Sequence, residues 1–146
     1  MTQPVLTVRP ETSLADVART LVENRIGCLP VVNEAGKMCG IVTETDFAAK
    51  ERGVPFSLLV LPQVFSPAMP PEAVERVRQE AGTTLAREIM ISEVITAAED
   101  TPVEEMARQM LRYDIDHIPV LRDGAPVGIV SRHDFLRMIV GAPSPA

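Results

Sequence analysis

Aromatic side chains are nearly absent: the 146 residues hold no tryptophan, one tyrosine and four phenylalanines, 3% in all. A ring-stacked core is excluded, and Val, Leu, Ile, Ala and Met must do the packing. Cysteine is equally scarce. Cys28 and Cys39 are too few for a disulfide framework or a four-ligand zinc site. In the hairpin read below, Cys28 lies nearer Val42 and Cys39 nearer Val31, so a reduced chain is expected. Basic charge is short as well. A net charge of −6 lacks the positive face that displaces counterions from a phosphate backbone, so nucleic acid is not the expected partner. The longest apolar stretch, 54–69, is broken by Pro55, Pro62 and Pro67, and no signal-like series opens the chain. A soluble, cytoplasmic protein with no membrane partner is the expectation.

What is present is an ordinary globular composition, 46% hydrophobic and 23% charged, in a length suited to one domain or two half-sized units sharing a core. The chain is written twice. Residues 5–47 align with 94–135 at an offset of 89 that becomes 88 after a one-residue deletion in a turn, with about 14 identities in roughly 42 positions. The identities include Thr7/Thr96, Thr12/Thr101, Ile26/Ile115, Pro30-Val31/Pro119-Val120, Gly40-Ile41-Val42/Gly128-Ile129-Val130 and Asp46-Phe47/Asp134-Phe135.

Each copy reads as strand, helix, strand, strand, helix. The first β segments are 5–8 and 94–97. The following helix carries Leu14, Val17, Ala18, Leu21 and Val22 in copy one and Val103, Met106, Ala107, Met110 and Leu111 in copy two, a helical stripe that predicts a core face. In copy two Thr101 is expected to cap, with Pro102 in the first helical position and Glu104 returning a hydrogen bond. Runs 28–32 with 37–42, and 117–121 with 126–130, flank the turns Asn33-Glu34-Ala35-Gly36 and Arg122-Asp123-Gly124 and predict a hairpin in each copy. A last helix is expected from Thr43 and from Ser131, the latter with apolar Phe135, Leu136, Ile139 and Val140. One such unit cannot bury both faces of a small sheet, so the copies should pack sheet to sheet about a pseudo-twofold axis.

Between the copies, about 51–82 belongs to neither. Its first half is apolar and rich in proline, with Phe56-Ser57-Leu58-Leu59-Val60-Leu61 covering either its own module or a partner. Its second half, 71–81, predicts a charged helix bearing Val74 and Val77, and 84–90 reads as a lead-in helix to copy two that copy one lacks.

Chemistry concentrates at one repeated junction. Gly40-Ile41-Val42-Thr43-Glu44-Thr45-Asp46 and Gly128-Ile129-Val130-Ser131-Arg132-His133-Asp134 share Gly, two aliphatics, a hydroxyl, two variable residues and Asp. Read structurally, the hydroxyl and the Asp form a capping box. Read functionally, the helix start offers unpaired N–H groups to an anion, the hydroxyl donates to a ligand, and the Asp accepts from ribose hydroxyls. The Gly would then give a ligand room for close approach. Cys28, His117, His133 and Asp134 follow no metal-ligand spacing, so no metal is expected. No P-loop, Gly-x-Ser-x-Gly or His-Glu-x-x-His occurs, and no enzyme is expected. Arg25, Arg112, Arg132 and His133 fall near the motifs, where they contact either phosphate or solvent.

The repeat, the doubled motif and the runs Gly27-Cys28-Leu29-Pro30-Val31 and Asp116-His117-Ile118-Pro119-Val120 closely resemble the CBS domain. The resemblance covers nearly all of both copies. It implies an α/β (α+β) fold of two βαββα repeats with two related clefts for AMP, ADP, ATP or S-adenosylmethionine, as regulatory ligands and not catalytic cofactors. It assigns Asp46 and Asp134 to ribose hydroxyls, and Thr43 and Ser131 to ribose or phosphate, with Thr45, Arg132 and His133 inside the motifs. Thr7, Gly27, Cys28, Leu29, Pro30, Thr96, His117, Ile118 and Pro119 would surround the adenine. Cys28 and His117 occupy matched positions, so the clefts need not bind alike.

The expected organisation is repeat 1 over 1–50, an inserted linker with helix over 51–82, and repeat 2 over 83–142, both repeats forming one module. Nearly the whole length goes into the repeats, so the regulated effector is expected to be another protein or a further part of a longer chain. A homodimer through the last helices is expected. Two functions stay open at this point: an adenosine-ligand sensor acting on a partner protein, and a ligand-free dimerisation scaffold whose motifs only cap helices.

Overall fold

The computed structural model describes residues 3–48 and 71–141. The apolar run 56–61 lies outside the described residues, as do the side chains of Phe47, Val74 and Val77.

Repeat 1 opens with a turn in which Thr12 Oγ1 accepts from the Arg9 N–H at 3.0 Å. Ser13 then caps α1 (Leu14–Asn24), its hydroxyl accepting from Asp16 N–H at 3.2 Å. The helix ends on Arg25 in the left-handed region, φ 53°, with its N–H closing on the carbonyls of Leu21 and Val22. Strands β1 (Cys28–Val32) and β2 (Met38–Thr43) pair antiparallel from Cys28↔Thr43, with a bulge between Val31 and Val32. The turn between them is tied by Asn33 Oδ1, which accepts from the N–H groups of Ala35 and Lys37 at 2.9 and 3.1 Å. A 3-10 helix, Glu44–Ala48, follows.

Repeat 2 reproduces the turn hydroxyl, the left-handed helix end and the bulged hairpin at equivalent positions. Thr101 Oγ1 accepts from Ala98 N–H at 2.9 Å, α4 (Val103–Tyr113) ends on Asp114 at φ 50°, and the hairpin of β4 (His117–Arg122) and β5 (Ala125–Ser131) has its bulge between Val120 and Leu121. Here β3 (Ala97–Ala98) adds a parallel strand beside β4, where repeat 1 has only the parallel bridge of Val8 to Val31. The repeat closes with α5 (Arg132–Val140). Such agreement of hydrogen bonds is how a doubled sequence becomes pseudo-twofold symmetry. The result is the α+β pair of sheets that the repeat predicts.

Between the repeats run α2 (Pro71–Thr83) and the short α3 (Ala86–Ile89). They roof repeat 1. Leu14 N–H donates to Thr84 O at 2.8 Å, Ala86 N–H to Thr12 O at 2.7 Å and Arg87 N–H to Pro10 O at 3.0 Å. Ala81, Ala86 and Ile89 thereby enter the first core cluster with Val8, Leu14, Val17, Leu21, Leu29, Val31 and Val42. A second cluster joins Ala97, Met106, Met110, Ile118, Val120 and Val130. The segment read as a lead-in to copy two thus packs its side chains on copy one.

Several local expectations are corrected. Val22 and Leu111 are 77% and 82% exposed, because position i+8 of a helix lies about 80° round from position i and misses the sheet. Val103 is 39% exposed, since the α2–α3 roof that buries its counterpart Leu14 covers repeat 1 only. Pro102, not Thr101, is the cap residue of α4 and offers no side-chain bond; the Thr101 hydroxyl instead satisfies the loop N–H of Ala98. Thr43 ends a strand and is followed by a 3-10 helix instead of starting an α-helix. Of 5–8 and 94–97, only Val8 and Ala97 pair with a strand, because the residues before them cross toward the other repeat.

That crossing joins the halves. Gln3 Nε2 donates to Val127 O on β5 at 3.2 Å, while Ile91 pairs with Ile41 on β2 through bonds of 3.0 and 2.9 Å. The two hairpin turns also meet, through Met38 N–H to Gly124 O at 2.8 Å and Lys37 Nζ to Asp123 O.

Candidate functional site: two clefts between the repeats

Both repeated motifs fold into the same cap. Thr43 N–H donates to Asp46 Oδ2 at 2.7 Å and Ser131 N–H to Asp134 Oδ2 at 2.8 Å, and each hydroxyl stands 3.2 Å from that carboxylate oxygen. Asp46 and Asp134 are buried. In repeat 2 the box is completed by Asp134 N–H donating to Ser131 Oγ at 3.4 Å. The glycine of the first motif has another role than the one expected. A Cβ on Gly40 would lie 2.7 Å from Met90 Sδ and 3.0 Å from Ile91 O, so its missing side chain makes room for the crossing segment and not for a ligand.

Two cavities open between the repeats, of about 440 and 470 Å³, a size suited to a small organic ligand. The first sets Pro4, Val5 and Leu6 from the start of repeat 1, with Arg25, Gly27 and Cys28, against Ser131, Arg132, His133 and Arg137 of repeat 2. In the second, Glu93, Val94 and Ile95 from the start of repeat 2, with Asp114 and Ile115, face Thr43, Glu44 and Thr45 of repeat 1. Each cleft therefore joins one repeat's motif to the other repeat's leading arm. Gly27, Asp116, His117 and Arg132 border both.

Of the residues singled out in the sequence, Gly27, Cys28, His117, Ser131, Arg132 and His133 meet at the first cavity, and Gly27, Thr43, Thr45, His117 and Arg132 at the second. Leu29, Pro30, Ile118 and Pro119 are fully buried strand residues and border neither. Thr7 and Thr96 also border neither, and Asp46 and Asp134 stand behind their hydroxyls. Arg112 lies over the Tyr113 ring, 5.4 Å from its centroid, away from both clefts. Sequence reasoning missed Val5, Leu6, Val94 and Ile95 as cleft residues, although they head the two aligned copies. Their apolar pattern was spent on a predicted strand.

Electrostatics at the shared wall are set by burial. Burial holds the His117 imidazole below its ordinary value, against the opposing pull of Asp116, Glu44 and Asp134. The Cys28 thiol is pushed up to about 12, by burial first and by the neighbouring Glu44 second, so it stays protonated. Arg132 is pinned by its own repeat, to Asp116 at 2.9 Å, Asp114 Oδ1 at 3.0 Å and Ile115 O at 3.3 Å. Among the described residues no cluster of His, Cys, Asp and Glu is arranged to hold a metal ion. No helix among them is long and apolar enough to cross a membrane.

Two copies of one helix-and-hairpin unit, packed as a pair with ligand-sized clefts in the seam, define a doubled module of one recognisable class. The chain belongs to the CBS domain family, whose model matches residues 1–52 and 86–141. It is similar to the solved CBS domain of a CBS-domain-containing membrane protein from Sphaerobacter thermophilus, at 41% identity and a TM-score of 0.75, over 93% of this chain and 82% of that one. It is also similar to the CBS domain pair of protein MJ0100, solved in complex with 5′-methylthioadenosine and S-adenosyl-L-methionine, at 30% identity and a TM-score of 0.70, over 97% and 92% of the two chains. Among curated relatives, an L-aspartate semialdehyde sulfurtransferase of Methanocaldococcus jannaschii is 31% identical over 142 residues. Those cover 97% of this chain but only 22% of that enzyme.

Proposed function

We propose that the chain is a regulatory module that binds adenosine-containing ligands in its two clefts and transmits their occupancy to a partner protein. One observation carries this reading: each cleft is built from both repeats, so a ligand filling it bridges the arm of one to the motif of the other. Such a ligand stabilises one arrangement of the halves over others, which is what a sensor requires. The similar pair solved with 5′-methylthioadenosine and S-adenosyl-L-methionine supports adenosine as the common ligand part. In this reading the apolar arms, 5–6 and 94–95, hold the base. Ser131 and Thr43 present hydroxyls to the sugar or phosphate, and Asp46 and Asp134 exchange their cap bonds for ribose hydroxyls.

The module pairs with a second copy through α5, where Leu136, Met138, Ile139 and Val140 are exposed. Free Cys28 and Cys39 suit a reducing, cytoplasmic setting. The effector is a separate protein or another part of a longer chain.

A second reading, a ligand-free scaffold, is favoured by the internally satisfied motif bonds and by Met90 filling the space at Gly40. A thermal-shift panel of AMP, ADP, ATP, S-adenosylmethionine, 5′-methylthioadenosine and NAD separates the two. A sensor gains about 2.7 kcal/mol per site at a hundred times the dissociation constant, readily seen as a higher melting temperature. No shift with any adenosine compound at millimolar concentration leaves the scaffold reading standing.

A further inference from the structure

The two clefts share a wall but differ in charge. Three arginines, Arg25, Arg132 and Arg137, border the first against one carboxylate, Asp116. Four carboxylates, Glu44, Glu93, Asp114 and Asp116, border the second against one arginine, Arg132. Arg132 belongs to both and is held between Asp114 and Asp116, which more than offset its charge. Outside this trio, the contrast rests on the unshared groups: Arg25 and Arg137 on one side, Glu44 and Glu93 on the other. Arg137 lies 3.6 Å from Asp134 and is partly neutralised by it. Arg25 has no hydrogen bond or ion pair through its guanidinium among the described residues, and it projects from a backbone position fixed by the left-handed end of α1.

The backbone reinforces the difference. Ser131, Arg132 and His133, at the first cleft, begin an α-helix of 9 residues whose N-terminal dipole end favours an anion. Thr43, Glu44 and Thr45, at the second, lead into a 3-10 helix of 5 residues whose dipole is smaller and whose first residue is itself acidic. A phosphate in the second cleft would face Glu44 and Glu93 with little to offset them. A sulfonium or a neutral thioether there would not.

We infer that the clefts divide adenosine ligands by charge: the first takes a nucleoside phosphate, held by Arg25 and Arg137 at the start of α5, and the second takes an uncharged or cationic nucleoside and rejects phosphates. The inference rests on the ligand-binding reading above. It makes the module respond to two chemically different signals, whose occupancies meet at the common wall of Gly27, Asp116, His117 and Arg132.

Isothermal titration of the whole chain with AMP and with 5′-methylthioadenosine tests it, using wild type, Arg25→Gln and the double variant Glu44→Gln/Glu93→Gln. All three substituted side chains are exposed, and the melting temperature of each variant checks its fold. Wild type is expected to bind one AMP per chain, with an affinity that falls as salt is raised. Arg25→Gln should weaken AMP about tenfold to a hundredfold, the scale of one charge-assisted contact, while changing 5′-methylthioadenosine less than about twofold. The double glutamine variant should admit a second AMP. Two AMP molecules binding wild type with equal affinity, or an AMP affinity unmoved by Arg25→Gln, overturns the division by charge while leaving ligand binding intact. Wild type that binds no adenosine compound overturns both.

Discussion

Gly27 of repeat 1 lies directly against the imidazole of His117 in repeat 2: a Cβ at Gly27 would stand 3.1 Å from both Cε1 and Nε2. Because both residues border both cavities, the ring's position is common to the two clefts. Gly27→Ala should displace the imidazole by a few tenths of an ångström, cost about 1 kcal/mol of apo stability and weaken ligands in both clefts together. Urea unfolding and titration with AMP and 5′-methylthioadenosine measure the two effects. Loss at one cleft alone would contradict the shared wall.

His117 should make stability depend on pH in a known direction. In the unfolded chain it takes up a proton near 6.5; in the folded protein burial holds it lower. As pH falls through 6.5 the unfolded state therefore protonates first. The contribution of neutral His117 is complete above that value and diminishes below it, until the folded-state value is reached. Urea midpoints between pH 7 and 5 should fall less steeply in His117→Asn than in wild type. Equal slopes would show that the ring is not held neutral.

Gly40→Ala should destabilise the protein by about 1–3 kcal/mol, since the new methyl meets Met90 Sδ at 2.7 Å and the Ile91 carbonyl at 3.0 Å. The thioether can turn aside, but the carbonyl belongs to the Ile41–Ile91 pairing and cannot. Met90→Ala in the same background should accordingly restore only part of the loss. Full restoration would place the strain on the side chain alone.

Asp134→Ala removes the carboxylate that accepts from Ser131 N–H and stands beside its hydroxyl, and should cost apo stability about 0.5–2 kcal/mol. If Asp134 also serves a ribose, the melting shift produced by AMP should shrink while that from 5′-methylthioadenosine in the other cleft persists. Asp46→Ala should give the converse. A pure capping role lowers apo stability in each variant and leaves any ligand shift in place.

Cys28 should resist alkylation in the native protein. Its thiol is pushed up to about 12 and it is buried, so at pH 8 almost no thiolate is exposed to iodoacetamide. Mass spectrometry should find Cys28 modified quickly in urea and hardly at all in buffer. Rapid native labelling would mean that the first cleft opens far wider than the structure shows.

The repeat made most of the fold legible. Equal spacing carried the turn hydroxyls of Thr12 and Thr101, the left-handed helix ends at Arg25 and Asp114, and the paired carboxylate caps to matching places. What remained hidden was relational. Nothing local in Val5-Leu6 or Val94-Ile95 says that these residues leave their own sheet to border a cleft with the other repeat. Gly40 looked open to a ligand because the residue that fills the space, Met90, is remote in sequence. Helical spacing placed Val22 and Leu111 on a core face, but only the reach of the sheet decides that they stay in water.

The roof over repeat 1 has a consequence for how the chain is made. Ala81, Ala86 and Ile89 complete the first core, and Ile91 ties down β2, yet all four are synthesised after every strand of that repeat. A nascent chain carrying residues 1–50 alone therefore lacks the part of the first core supplied by Ala81, Ala86 and Ile89 and leaves the apolar surface they cover open, a surface that invites chaperones or aggregation. Closure of the first half must wait until the second has begun to emerge. Birth order and folding order are thus uncoupled, and ribosome-bound intermediates ending near residue 60 should be protease-sensitive throughout, whereas those that have released residue 91 should already protect repeat 1.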